Sequence, residues 1–205
     1  MDFFPAIFYF FVIIPSAIMH EYAHGWVADR LGDPTARYAG RLSLDPRVHI
    51  DPIGTLLLPL LLFLGSGGSF MFAYAKPVPY NPNNLRDRRW GPVYVALAGP
   101  LSNLLIAFFI GLMVRILPPS AFSDLLSIIV LANVLLGVFN CVPIPPLDGS
   151  KLLFALLPAS LDHIKAMLER FGFVLVLIFI FYFSSVINPI VSYLVNFFTG
   201  GNSLF

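Results

Sequence analysis

Charge is missing from five long stretches of this chain: residues 3–19, 52–75, 90–114, 125–147 and 171–205. A helix that crosses a bilayer needs about 20 predominantly apolar residues. Four of the five stretches meet that need, and the first continues as helix to about Asp29. The second is different. Its apolar core, residues 53–64, runs into Gly65-Ser66-Gly67-Gly68-Ser69, a poor stretch of helix. A run of about 10–14 apolar residues marks a re-entrant or buried segment more often than a span. Residues 70–74 can then return to the same face. The pattern predicts an all-α membrane protein, a polytopic bundle of about four to six transmembrane helices. A re-entrant or short membrane segment is expected near 53–75, and residues 1–205 are expected to form a single domain.

The basic residues support that topology. Suppose the second stretch does not span and the N-terminus lies outside. Then Arg30, Arg37, Arg41, Arg47, Lys76, Arg86, Arg88, Arg89, Lys151, Lys165 and Arg170 all fall on the cytoplasmic side. Of the 12 lysines and arginines, only Arg115 faces the other way. Positive loops are the ones that stay inside. Composition agrees: the 205 residues are 58% hydrophobic and 11% charged, against about 25% charged in soluble domains. A net charge of +1 offers no basic surface for nucleic acid. The one cysteine, Cys141, excludes an internal disulfide. The start, MDFFPAIFYF, has no positive leading region and no small-residue cleavage site, so it reads as a retained membrane helix. Trp26, Trp90 and Tyr193 suit interface anchoring.

The first apolar stretch ends in Ile18-Met19-His20-Glu21-Tyr22-Ala23-His24-Gly25. The chain has 4 histidines and two glutamates, and three of those six crowd into this motif. Ionisable groups inside a spanning segment mark function, because burying them costs several kcal/mol. Residues four apart share a helix face, so both imidazoles reach one metal. HExxH is the zinc-metalloprotease arrangement, two histidine ligands and a glutamate general base. Zinc lowers the pKa of its water toward about 7. Glu21 would take that proton and pass it to the leaving amine.

A catalytic zinc takes a third protein ligand and keeps one position open. His49, His163 and the carboxylates are the candidates, and Asp148 stands out. Asn140-Cys141-Val142-Pro143-Ile144-Pro145-Pro146-Leu147-Asp148-Gly149 ends the fourth stretch. Its prolines break the helix and Gly149 frees the backbone further. Broken helix at membrane depth lines a site. The other reading of Asp148 is a membrane-edge residue capping a helix that starts near Ser150. The residues alone leave both open.

HEYAH together with NCVPIPPLDG resembles the site-2 protease family of intramembrane zinc metalloproteases. His49-Ile50-Asp51-Pro52-Ile53-Gly54-Thr55 resembles the HxDPxGT segment of its short members. Ala75-Lys76-Pro77-Val78-Pro79 with Asn81-Pro82 resembles their AKPVPxNP stretch. Ala98-Gly99-Pro100-Leu101-Ser102-Asn103 resembles their AGPxxN helix start. These pieces cover residues 20–149. The resemblance implies one zinc per chain, held by His20, His24 and Asp148, with Glu21 as base. It places Asn140 beside the zinc, polarising the scissile carbonyl or holding substrate backbone. It implies a transmembrane or membrane-anchored protein substrate, cut in or near the lipid bilayer. The expected location is a prokaryotic cell membrane, with the active site toward the cytoplasm.

Other residues have weaker signals. His49 and Asp51 could bind substrate, position the loop, hold a second metal, or fix a turn before Pro52. Asn103 is a substrate contact or a helix–helix hydrogen bond. Pro77 and Pro79 sit in an extended segment whose edge could add a substrate strand. Cys141 reads as a packing residue. His163 falls in an interfacial amphipathic helix over 161–170. The alternative function is a membrane metal transporter using the His/Asp cluster as a transit site. Such a pathway wants ligands repeated along it, whereas these cluster at one depth. A scaffold with a structural zinc would need a closed site of four ligands. The pattern leaves the oligomeric state open.

Overall fold

The computed structural model describes residues 3–65 and 75–201. Every regular element among them is helical. Helix α1 (Phe3–Arg30) has 28 residues, about 42 Å at 1.5 Å per residue. Pro15 lies inside it. Two single turns follow, α2 (Thr35–Tyr38) and α3 (Pro46–His49). Next come a π turn (Pro52–Leu57) and the eight-residue α4 (Leu58–Gly65). Together they measure only about 20 Å, short of the ~30 Å hydrocarbon layer. The glycine-serine run beyond Gly65 and the return expected over 70–74 lie outside the described residues.

The remaining helices are α5 (Gly91–Ile116), α6 (Ala121–Asn140), α7 (Gly149–Leu156), α8 (Asp162–Ile178) and α9 (Asn188–Thr199). Among the described residues, three segments are long and apolar enough to cross a membrane: Gly91–Ile116, Ala121–Asn140 and Asp162–Val186. Asp87 starts α5 by accepting the Arg89 and Trp90 amides at 2.8 and 2.9 Å. Ser120 and Ser123 cap α6 reciprocally. The Arg115 guanidinium, at the end of α5, bonds the Phe197 and Phe198 carbonyls that close α9, where a cation also suits the helix dipole.

One boundary differs from the sequence pattern. Residues 161–170 do not form a separate interfacial helix. They are the first turns of α8, which runs on into the apolar stretch. No proline separates the charged turns from the apolar ones, so helical hydrogen bonding continues. The α-helix passes into a π turn at Phe179–Phe183 and a 3-10 turn at Ser184–Val186, just ahead of Pro189 in α9.

The core joins α5, α6 and α9. Ala107, Val130, Val134 and Val138 pack against Phe179, Ile187, Val191 and Val195. On its other side α5 packs along α1. Between α6 and α7 the chain folds sharply back. A Cβ on Gly149 would lie 2.1 Å from the Cys141 carbonyl oxygen, so only glycine permits that approach. The fold-back carries Asp148 across to α1.

Candidate metal centre

Helical spacing puts His20 and His24 on one face of α1, ring centroids 4.6 Å apart and planes at 86°. Both residues are buried. Each ring commits one nitrogen to an acceptor on α5. His20 Nδ1–H donates to Asn103 Oδ1 at 2.7 Å, and His24 Nδ1–H donates to the Val95 carbonyl at 2.6 Å. Both Nε2 atoms face Asp148 Oδ2, at 3.0 and 3.3 Å. The three ligand atoms lie within 4.8 Å of one another.

With its proton on Nδ1, each imidazole presents a lone pair at Nε2. Two lone pairs and a carboxylate oxygen then converge with no donor among them. That arrangement is repulsive alone and is relieved by a cation between the three atoms. Ligand atoms around a tetrahedral zinc, each ~2.0–2.2 Å from it, stand ~3.3 Å apart. The 3.0 and 3.3 Å separations are of that size. Two imidazoles and one carboxylate leave a fourth position open, as catalytic zinc sites do. Gly99 completes the fit. A Cβ there would come within 2.5 Å of Nε2 of both histidines, so a side chain would occupy the space where the lone pairs meet.

Asn103 is fully buried. Its Nδ2 donates to the Ser16 carbonyl at 3.1 Å and to Asn133 Oδ1 at 3.0 Å. Those bonds decide which end of the amide faces His20. Asn133 in turn donates to the Ile129 carbonyl at 3.0 Å. A line of hydrogen bonds therefore runs from His20 through α5 into α6. Such partners fix the ring orientation and tautomer of a metal-ligating histidine.

Glu21 lies outside the three-residue group. Its Oε2 accepts the Val78 amide at 2.7 Å. Pro77 and Pro79 exclude helix around Val78 and bias Lys76 and Val78 toward extended backbone. The segment is anchored from two loops. The Lys76 amide donates to the His49 carbonyl at 2.8 Å. The buried Arg41 donates from Nη2 to the Lys76 and Pro77 carbonyls, at 2.6 and 3.2 Å.

His49 is 1% exposed. Its Nε2–H donates to the Ser43 carbonyl at 2.7 Å, and Nδ1 has no partner among the described residues. Asp51 Oδ1 accepts the Ile53 and Gly54 amides at 3.0 and 2.7 Å, capping the turn that begins at Pro52. Asn140, the last residue of α6, donates from Nδ2 to the Leu136 carbonyl at 2.9 Å. Neither His49 nor Asp51 joins the His20–His24–Asp148 group. Sequence reasoning did not single out Arg41, Asn133 or the room made by Gly99. Asn133 did carry a signal, since an amide in mid-span needs a partner. Gly99 lay within a quoted motif, and Arg41 was one loop arginine among several.

Comparison with known proteins gives consistent results. The model of peptidase family M50 matches residues 117–180, a range that includes Asn140 and Asp148. The chain is 37% identical to YwhC of Bacillus subtilis, over 81% of this chain and 76% of that protein. It is 31% identical to Rip2 of Mycobacterium tuberculosis, over 80% of this chain and 62% of that protein. Both carry the name putative zinc metalloprotease. It is 29% identical to Zinc metalloprotease MJ0392 of Methanocaldococcus jannaschii, over 77% of this chain and 36% of that protein. No solved structure matches the chain significantly.

Proposed function

This chain belongs to peptidase family M50, the site-2 protease family of zinc metalloproteases, and from that premise we propose that it hydrolyses peptide bonds of transmembrane or membrane-anchored proteins. The observation that carries the reading is the convergence of two imidazole nitrogens and a carboxylate oxygen within 4.8 Å, one residue from Glu21. His20, His24 and Asp148 would hold one zinc per chain. Zinc, when bound, supplies the Lewis acidity that polarises a carbonyl and brings the pKa of water toward about 7.

The chain's own groups do the rest. Glu21 takes the proton of the attacking water and delivers it to the leaving nitrogen. The Val78 amide, 2.7 Å away, keeps that carboxylate in place. Asn103 and the Val95 carbonyl keep both Nε2 atoms turned to the centre. Asn140, at the broken end of α6, holds the scissile carbonyl or the substrate backbone. The segment around Val78, its Lys76 and Val78 amides already taken, offers carbonyl acceptors to an unwound substrate strand.

Residues 1–205 act as one catalytic unit in the lipid bilayer of a prokaryotic cell, with the centre toward the cytoplasm. The distribution of basic loops supports that orientation, and the relatives named above are bacterial and archaeal. Metal transit has less support. Among the described residues there is one group of three or more metal-capable side chains, not a series along a path.

Enzyme reconstituted in vesicles with a single-span substrate tests the proposal. Cleavage lost on chelation and regained with zinc, without zinc crossing the vesicle, is the expected result. Zinc flux without cleavage would replace the protease with a transporter.

A further inference from the structure

Between the chain around Tyr80 and helix α7 the surface opens into a cleft of about 720 Å³, within the range of ligand pockets. Two elements adjoining catalytic groups wall it. On one side is Tyr80, two residues beyond the amide that holds Glu21. On the other is Lys151 in the first turn of α7, whose amide donates to the Asp148 carbonyl at 3.0 Å. Two extended residues cover ~7 Å and three helical ones ~5 Å. Tyr80 and Lys151 on the cleft's walls are therefore within those backbone distances of Val78 and Asp148.

Its lining is cationic. Arg88, Arg89, Lys151 and Lys165 face it, against the single carboxylate of Asp162. Lys165 pairs with Asp162 at 2.8 Å, and Lys151 with Glu169 at 3.3 Å. Both acids are more than half exposed, and such surface pairs contribute little. An incoming carboxylate can replace them at little cost. The Arg89 side chain is fixed at the rim by a bond from Nε to the Ala155 carbonyl at 3.1 Å.

We propose that this cleft binds an acidic stretch of the substrate polypeptide, on the cytoplasmic side of the scissile bond. The inference rests on the protease reading and names its substrate class. A chain held at the metal centre leaves past Val78 or Asp148, and the cleft's walls adjoin both. An extended chain advances ~3.3 Å per residue, so carboxylates roughly two to five residues from the cut reach the four cations. An anionic lipid headgroup would meet the same charge. Walls that continue into the Val78 amide held by Glu21 and into Asp148 favour the chain being cut.

The full chain in nanodiscs of zwitterionic lipid provides the test, with two readouts. The first is cleavage of a single-span substrate carrying a glutamate, serine or lysine tract at those positions. Wild type is expected to prefer glutamate over serine about tenfold, the worth of two exposed ion pairs. The preference should lie in KM and fade in high salt. Arg88→Glu/Lys165→Glu is expected to reverse the order of the glutamate and lysine substrates. An order unchanged by the double substitution overturns the proposal. The second readout is binding of the same tracts, as soluble labelled peptides, to the Glu21→Gln chain. It needs no cleavage. Charge-selective binding that the double substitution reverses, with wild type cutting nothing, would keep the cleft and remove the protease reading. Peptide binding indifferent to charge, with phosphatidylglycerol binding that the double substitution abolishes, would assign the cleft to lipid and overturn the proposal.

Discussion

At the scale of single residues, the centre depends on which nitrogen of each imidazole carries the proton. Asn103 and the Val95 carbonyl take the Nδ1 protons of His20 and His24. Asn103→Ala frees the His20 ring to turn and to change tautomer. Its zinc affinity should fall about 10–100-fold, read by competition with a coloured chelator. An affinity equal to wild type would mean that the bond does not orient the ring. Gly99→Ala should be more severe, because its Cβ would sit 2.5 Å from both Nε2 atoms. Purified Gly99→Ala protein is expected to hold almost no zinc, measured by elemental analysis. The His20–His24 spacing was legible because a single helix turn brings those two rings together. Asp148 was half legible, through the prolines before it. The contact of His20 with Asn103 joins positions 83 apart in the chain, and no local pattern encodes such a pairing.

At the scale of elements, the segment around Val78 is held by what grips it. Arg41 supplies two charged hydrogen bonds to its carbonyls, the kind worth about 1.5–3 kcal/mol each. In Arg41→Gln the Val78 amide should exchange hydrogen faster and kcat should fall. Unchanged exchange would show that the segment stands without Arg41. Asp33 plays a similar part between the end of α1 and the turn at 81–84. It is fully buried and accepts bonds from Thr35, the Asn81 amide and Asn84. Burial raises its pKa, but those bonds outweigh burial and hold it below 3.8. A depressed folded-state pKa adds stability above the unfolded value, lost as pH falls through the folded one. The advantage of wild type over Asp33→Asn, about 1–3 kcal/mol at pH 7, should therefore shrink below about pH 4. Thermal unfolding in detergent across pH 3–7 measures it. Long helices were legible from uncharged runs. The start of α8 was not, because charged turns continue into apolar ones without a breaker, and hydropathy alone marks a boundary there.

At the scale of the molecule, α5 is the hub, packing α1 on one side and α6 with α9 on the other. Crossings by Gly91–Ile116 and Ala121–Asn140, which are long and apolar enough, would put the loop at residues 117–120 on the opposite face from the loops before α5 and after α6. Single cysteines at positions 37, 88 and 160, in a chain whose Cys141 is replaced, should react with an impermeant reagent from the cytoplasmic side alone. A cysteine at 119 should react only from the other side. Labelling of 37 and 88 from opposite faces would mean that the second apolar stretch spans. The general bundle follows from hydropathy and charge. The packing of α9 onto α5 does not, because it depends on buried contacts such as those of Val191 and Val195. The central claim is that Glu21 activates water at a zinc held by His20, His24 and Asp148. Bound metal and cleavage, measured side by side in wild type and Glu21→Gln, test it most directly. The account predicts one zinc per chain in both and cleavage of a single-span substrate in wild type only. Equal cleavage by both proteins would remove Glu21 from the chemistry, and no zinc in either would contradict the metal centre itself.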